Sequence, residues 1–206
     1  MTGLIYRWIK ILSLVGFLAS GQTACSVADT GPKLAGEKIT GEVVLKSASG
    51  KKISLLRNPT KVGVLTSSFG IRKHPLTGRV QPHRGIDFGV ASGTPILAAS
   101  DGILSFRGMH GGYGNLIKIR HSSDIETVYA HLSEFASGLG PGTHVRKGEV
   151  IGYVGSTGRS TGPHLHYEMY FDGERIDPLG SELATAPSLF DIEVEVAAGI
   201  GNSLIQ

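Results

Sequence analysis

All eight histidines of the 206-residue chain fall between positions 74 and 166. In His83-Arg84-Gly85-Ile86-Asp87-Phe88, side chains on a strand alternate with period two. His83 and Asp87 would then point together into a cleft, with Gly85 between them leaving room for an ion and Ile86 and Phe88 facing the core. In His164-Leu165-His166-Tyr167-Glu168 the same arithmetic puts His164 and His166 on one face, with Leu165 behind. His131, in Tyr129-Ala130-His131-Leu132, is expected to oppose a core face made by Val128, Ala130 and Leu132. Three strands thus offer polar groups on one side. Two imidazoles and a carboxylate are what a catalytic zinc needs, with a fourth position left to water, and two histidines are left over. His74, His110, His121 and His144 sit in turn-like contexts and read as ordinary.

From Ser67 to His166 the chain resembles the zinc-dependent peptidoglycan endopeptidases of the lysostaphin and LytM type, peptidase family M23. The matching strings are Ser67-Ser68-Phe69-Gly70-Ile71-Arg72, His74-Pro75-Leu76-Thr77-Gly78 and His83-Arg84-Gly85-Ile86-Asp87. Gly112-Tyr113-Gly114-Asn115, Tyr129-Ala130-His131-Leu132-Ser133, Gly142 to Gly155 and Ser160-Thr161-Gly162-Pro163-His164-Leu165-His166-Tyr167-Glu168 follow. The resemblance implies that His83, Asp87 and His166 ligate Zn2+ and that His131 and His164 are the two unliganded catalytic histidines. It also implies a groove over the main sheet and cleavage of peptide bonds in bacterial cell-wall crosslinks. A zinc-activated water would then be the nucleophile. The two histidines would share the roles of base and of oxyanion or leaving-group donor.

The elements that position these residues follow from composition. Thirty glycines and nine prolines, with 7% aromatics, describe a chain that turns often and exclude a helical bundle or coiled coil. From Gly63 onward, short runs rich in Val, Ile and Tyr recur about every ten residues. Strands are expected at Gly85 to Phe88, Pro95 to Ala98, Gly102 to Phe106, Asn115 to Arg120, Glu126 to Ala130, Val150 to Val154 and His164 to Met169. That rhythm makes a compact, all-β, antiparallel β-sandwich or barrel-sandwich. Gly111, Gly112 and Gly114 either let backbone approach a peptide or simply make a tight turn.

The expected organisation is an export signal over 1–25, a tether with a short hairpin over 26–62, the peptidase domain over 63–180 and an acidic tail over 181–206. Arg7 and Lys10 precede an apolar run from Ile11 to Ala19, too short to span a membrane, and then small residues up to Cys25. Cys25 stands where a lipoprotein's acylated first residue would, although Gln22 occupies a position that is usually aliphatic. Cleavage after Gly21 or Ala28 would instead give a soluble product. Either way the destination is the envelope of a bacterium, periplasmic, secreted or lipid-anchored.

A net charge of +3 without a massed basic segment does not call for nucleic acid. Peptidoglycan stem peptides are the partner the resemblance implies, and a monomer is the expected state; Arg72, Lys73, Arg79, Arg84 and Arg107 could meet the carboxylates or phosphates of such wall polymers. One alternative keeps the fold and discards catalysis, as a LytM-type binding module that activates other cell-wall hydrolases. Another is a carrier or adaptor domain, suggested by Gly142 to Gly152. It is disfavoured because Gly155-Ser156-Thr157-Gly158-Arg159 offers no modifiable Lys and no helical arms follow.

Overall fold

Runs of four to eight apolar and β-branched residues closed by glycine turns are too short to nucleate helices and pair as strands instead. The computed structural model of the chain describes residues 36–73 and 78–180. The segment expected to be an export signal with Cys25, the first part of the expected tether, His74 and the acidic tail lie outside the described residues.

The described residues form fourteen strands: β1 (Glu42–Lys46), β2 (Lys52–Leu56), β3 (Val64–Ser67), β4 (Gly70–Lys73), β5 (Val80–His83), β6 (Ile86–Gly89), β7 (Pro95–Leu97), β8 (Gly102–Met109), β9 (Asn115–Arg120), β10 (Ile125–Phe135), β11 (His144–Val145), β12 (Val150–Val154), β13 (His164–Phe171) and β14 (Glu174–Ile176). A single 3-10 turn at Gly111–Tyr113 is the sole helical element among them. Among the described residues every strand pairing is antiparallel, and the fold is all-β as the glycine-rich rhythm predicts.

The main sheet runs β11-β8-β9-β10-β13-β6-β3. The last residues of β10 leave β9 and β13 and pair with β12, which pairs in turn with β7. The sheet therefore folds over its own inner face. Leu65, Phe88, Leu104, Ile117, Tyr129, Leu165 and Tyr167 from the main sheet meet Ile96, Ile151 and Val154 from the returning strands in one core.

The β1–β2 hairpin is part of this core rather than of a tether. Register pairs Val43 with Leu55 and Leu45 with Ile53, so all four side chains share one face, and all four are buried. The Tyr167 hydroxyl donates to the Leu56 carbonyl at 3.2 Å, and Lys147 Nζ lies 2.7 Å from Glu42 Oε2. The weak alternation around Ser47–Gly50 marks the hairpin in the sequence but not its attachment, because its partners lie about a hundred residues away in the chain.

The opposite face of β10 and β13 carries the polar side chains. Directly paired residues share a face: Tyr129 with Tyr167 inward, Ala130 with His166 outward. Strict alternation would therefore turn His131 inward with Tyr129. Instead His131 adopts φ of 64°, and the ladder to β9 skips from Tyr129 to Leu132. This bulge turns His131 outward and sends Leu132 into the core. Val128 and Ala130 pack outward in a small cluster with Leu116, beside Phe106, Tyr113 and Tyr170. The expectation that Val128, Ala130 and Leu132 form one inward face opposite His131 is thus corrected.

Candidate metal centre and hydrolytic cleft

His83 closes β5, Asp87 lies in β6 and His166 in β13, the strand that pairs with β6 and sets His166 opposite Asp87. All three are buried. The chain breaks its strand at Arg84-Gly85, so His83 and Asp87 arrive from two strands and not from one continuous face. Gly85 does not leave room for an ion. A Cβ there would stand 2.4 Å from the Tyr167 carbonyl oxygen and 2.9 Å from Glu168 Cγ, so glycine is what lets this turn pack against β13.

Three atoms converge. His83 Nε2 lies 3.1 Å from Asp87 Oδ1 and 3.2 Å from His166 Nδ1, and His166 Nδ1 lies 2.8 Å from Asp87 Oδ1. Their partners on the far side fix what each presents. His83 Nδ1 lies 2.8 Å from the Ser68 carbonyl, which can only accept, so the proton of a neutral His83 sits on Nδ1. His166 Nε2 lies 3.1 Å from Glu168 Oε1 and donates there, leaving its Nδ1 lone pair inward. Two imidazole lone pairs and a carboxylate oxygen thus face one point and repel one another unless a cation or protons lie between them. Tetrahedral ligands at about 2.0–2.1 Å from zinc are separated by about 3.3–3.4 Å, close to the edges of this triangle, so the donor set fits such an ion. The three residues could hold a metal ion.

Without a cation, protons compensate the cluster. Burial alone would raise the Asp87 carboxyl, but hydrogen bonds from His166 and His83 hold it far below the usual range. Burial would lower His166, yet Asp87 and Glu168 push it up to about 9. Metal and protons therefore compete for the same lone pairs.

Around the triangle stands a supporting ring that the sequence motifs leave without a role. Arg72 Nη2 lies 3.3 Å from Asp87 Oδ2 and so engages the oxygen turned away from the triangle. Glu168, 1% exposed, accepts from His166 Nε2, from the Tyr113 hydroxyl at 2.9 Å, from the Tyr170 hydroxyl at 2.8 Å and from Arg175 Nε at 3.3 Å. Burial opposes its charge, but these donors hold its carboxyl well below the ordinary value. The signal for Glu168 was present: period two places it on the face of His164 and His166.

His131 and His164 stand beside the triangle, their ring centroids 4.6 Å apart. Each anchors Nδ1 on a backbone carbonyl, His131 on Thr157 at 2.8 Å and His164 on Gly162 at 2.9 Å. This leaves the Nε2 of each ring on the cleft side, that of His164 3.9 Å from Asp87 Oδ1. Burial pushes His131 down to about 4, outweighing the Thr157 carbonyl, so it is neutral at neutral pH.

A cleft of about 430 Å³ opens over these groups. Gln81, Pro82 and Arg84 from the β4–β5 side and Tyr113, Arg159 and Thr161 from the β8–β9 turn and the loop before β13 contribute to its walls. Of the five basic residues expected near the site, Arg72 and Arg84 line the cleft. Arg107 instead donates to the Leu139 carbonyl and lies 4.7 Å over the Phe135 ring. Among the expected ordinary histidines, His121 is held between the Asp101 carbonyl and Thr127 Oγ1, His110 precedes the 3-10 turn and His144 lies in β11. Gly114, with φ of 65°, is needed because a Cβ would stand 2.4 Å from Thr157, so its role is to mesh two loops.

The sequence profile of Peptidase family M23 matches residues 81–178, a span that holds all five of these histidine and aspartate positions. The DD-carboxypeptidase/endopeptidase Mpg of Neisseria meningitidis serogroup B is 50% identical over 121 residues, 59% of this chain and 27% of that protein. The peptidoglycan DD-endopeptidase ShyC of Vibrio cholerae is 36% identical over 174 residues, 84% of this chain and 38% of that protein. The chain thus corresponds to only a quarter to two fifths of the length of these relatives. A zinc-containing peptidase from Vibrio cholerae superposes with a TM-score of 0.58 at 33% identity, covering 66% of this chain and 46% of that one. The catalytic domain of lysostaphin from Staphylococcus simulans superposes with a TM-score of 0.50 at 31% identity, covering 56% of this chain and 88% of that domain. With that domain matched over 88% of its length at 31% identity, and the family profile spanning the converging histidines and aspartate, the chain belongs to peptidase family M23.

Proposed function

We propose that the chain is a zinc-dependent endopeptidase that hydrolyses peptide bonds in peptidoglycan crosslinks of a bacterial cell envelope. The observation that carries this is the convergence of three inward-facing acceptors, at 2.8–3.2 Å from one another, beneath an open cleft flanked by two anchored imidazoles. His83, Asp87 and His166 would hold the metal. Zinc bound there would polarise the scissile carbonyl and make water a nucleophile near neutral pH.

The chain's own residues do the rest. Glu168 keeps the His166 proton on Nε2, and Arg72 keeps Asp87 turned so that Oδ1 faces inward. His131, neutral and with a free Nε2, can take a proton from water at that point. His164, similarly anchored, can donate to the developing oxyanion or to the departing amine once protonated. The two walls, with Arg84 on one and Arg159 on the other, orient an extended peptide across the floor.

A Vibrio cholerae relative named as a peptidoglycan DD-endopeptidase, together with a Neisseria relative named as a DD-carboxypeptidase/endopeptidase, supports the choice of substrate. An export signal over 1–25, read from Arg7, Lys10 and the apolar run Ile11 to Ala19, would agree with an envelope location, with Cys25 as the candidate site of a lipid anchor. The burial of the β1–β2 hairpin supports beginning the folded unit near residue 36 and not at 63. Digestion of purified sacculi with the zinc-loaded protein, followed by mass spectrometry of released muropeptides, tests the activity. Crosslinked dimers converted to monomers are expected. Sacculi bound but left intact would overturn catalysis in favour of a binding module. Intact-mass analysis of the native protein decides between a diacylated chain starting at Cys25 and an unmodified one.

A further inference from the structure

His131 is the one residue inside a strand, among the described non-glycine residues, that has positive φ; Lys61 and Asp172 lie in connections. Such a conformation persists only when its surroundings impose it. Here the ladder does not, because pairing with β9 lapses between Tyr129 and Leu132 and pairing with β12 begins only at Leu132. A clasp of side chains takes over. The Thr157 hydroxyl donates to the Leu132 carbonyl at 2.8 Å and accepts from the Asn115 backbone N–H at 2.9 Å. Asn115 Nδ2 donates to the same Leu132 carbonyl at 3.0 Å. The Thr157 carbonyl accepts from His131 Nδ1 at 2.8 Å. One threonine thus fixes both the backbone just after His131 and the proton on its ring.

The loop that carries Thr157 is itself immobilised. A Cβ on Gly158 would lie 2.3 Å from Gly114 N, so the two loops touch backbone to backbone, and Arg159 N–H donates to the Gly112 carbonyl at 2.8 Å. We propose that Thr157, backed by Asn115, is a positioning residue that holds His131 in its left-handed conformation with Nε2 free and turned to the cleft. This rests on the reading of His131 as an assisting histidine in hydrolysis.

The test uses the full zinc-loaded chain with Thr157→Val, which keeps shape and removes the hydroxyl, and Thr157→Ser, which restores it. For Thr157→Val, kcat on a crosslinked muropeptide dimer is expected to fall about ten- to a hundredfold, part of what loss of a general base removes, with KM and zinc content unchanged. Thr157→Ser is expected to recover most of the rate. Independently of activity, 15N–1H spectra should show His131 as the Nδ1–H form with a slowly exchanging proton, and faster exchange in Thr157→Val. Retained kcat in Thr157→Val, or a Thr157→Ser rate as low as that of the valine variant, would overturn the assignment. Should the wild type hydrolyse nothing, the function is refuted while the ring spectra still decide the positioning: an unaltered His131 proton in Thr157→Val would refute it.

Discussion

Replacing Glu168 with Gln changes one atom yet disturbs four hydrogen bonds. The carboxylate accepts from His166 and Tyr113 on Oε1 and from Tyr170 and Arg175 on Oε2, and it is 1% exposed. A glutamine must put its NH2 on one of these sides, where two donors already point. On the Oε2 side it faces the Arg175 N–H and strips that guanidinium of its partner. On the Oε1 side it displaces the His166 proton from Nε2 to Nδ1, the atom that faces His83 and Asp87 at 3.2 and 2.8 Å. Breaking a buried charged pair costs about 3–5 kcal/mol. For a domain of this size that corresponds to a melting point lower by about 10 °C. Loss of a carboxylate that orients a metal-bound histidine weakens metal affinity by about 10–100-fold. Differential scanning calorimetry and competition with a zinc chelator measure the two effects. Unchanged zinc affinity in a folded Glu168→Gln variant would refute the orienting role, whatever the melting point does.

Other predictions follow from the same geometry. His83→Ala, Asp87→Ala and His166→Ala should each lose the single zinc per chain, read by metal analysis of the purified protein. His131→Ala and His164→Ala should retain it while hydrolysis falls about a hundred- to ten-thousand-fold, read as muropeptide release. Gly85→Ala should destabilise the domain by at least the about 1–3 kcal/mol of ordinary overpacking, because its nearest obstacle is the Tyr167 backbone and cannot rotate away. His121 is half-buried between the Asp101 carbonyl and Thr127, and its partial desolvation lowers its pKa, so the unfolded chain takes up its proton first. Its contribution is complete above about pH 6.5 and is lost as pH falls toward the folded value. A shallower pH dependence of urea midpoints in His121→Gln would show this, and an unchanged profile would refute it.

Part of the site could be read from spacing, because period two is enough to bring His164, His166 and Glu168 to one face of β13, whereas the pairing of β6 with β13 that sets Asp87 opposite His166 is register, which spacing does not give. The facing of His131 was reached by the wrong alternation: the left-handed residue that reverses the pleat has no signature in Ala130-His131-Leu132. What imposes it comes from Thr157, 26 residues on. Tyr113 is separated from Glu168 by 55 residues and Arg72 from Asp87 by 15, and neither pairing follows from local pattern. Gly85 was noticed for its place between two ligand-type residues. Its cause is the neighbouring strand, which only register reveals.

The edge of the main sheet has one more consequence. Strand β3 is the last in the sheet, and its outer side is met by residues before the hairpin: Gly36 N–H donates to the Leu65 carbonyl at 2.7 Å and Leu65 N–H to the Glu37 carbonyl at 2.9 Å. These two bonds occupy part of an edge that would otherwise be an open template for another chain. A fragment trimmed to begin at Gly63, or to the span 81–178 that matches the family profile, would uncover that edge or remove β3 altogether. It would also bare the core residues that Val43, Leu45, Ile53 and Leu55 cover. Such a fragment would retain every histidine of the site and lose solubility, associating through its exposed strand at the concentrations used for crystallisation or NMR.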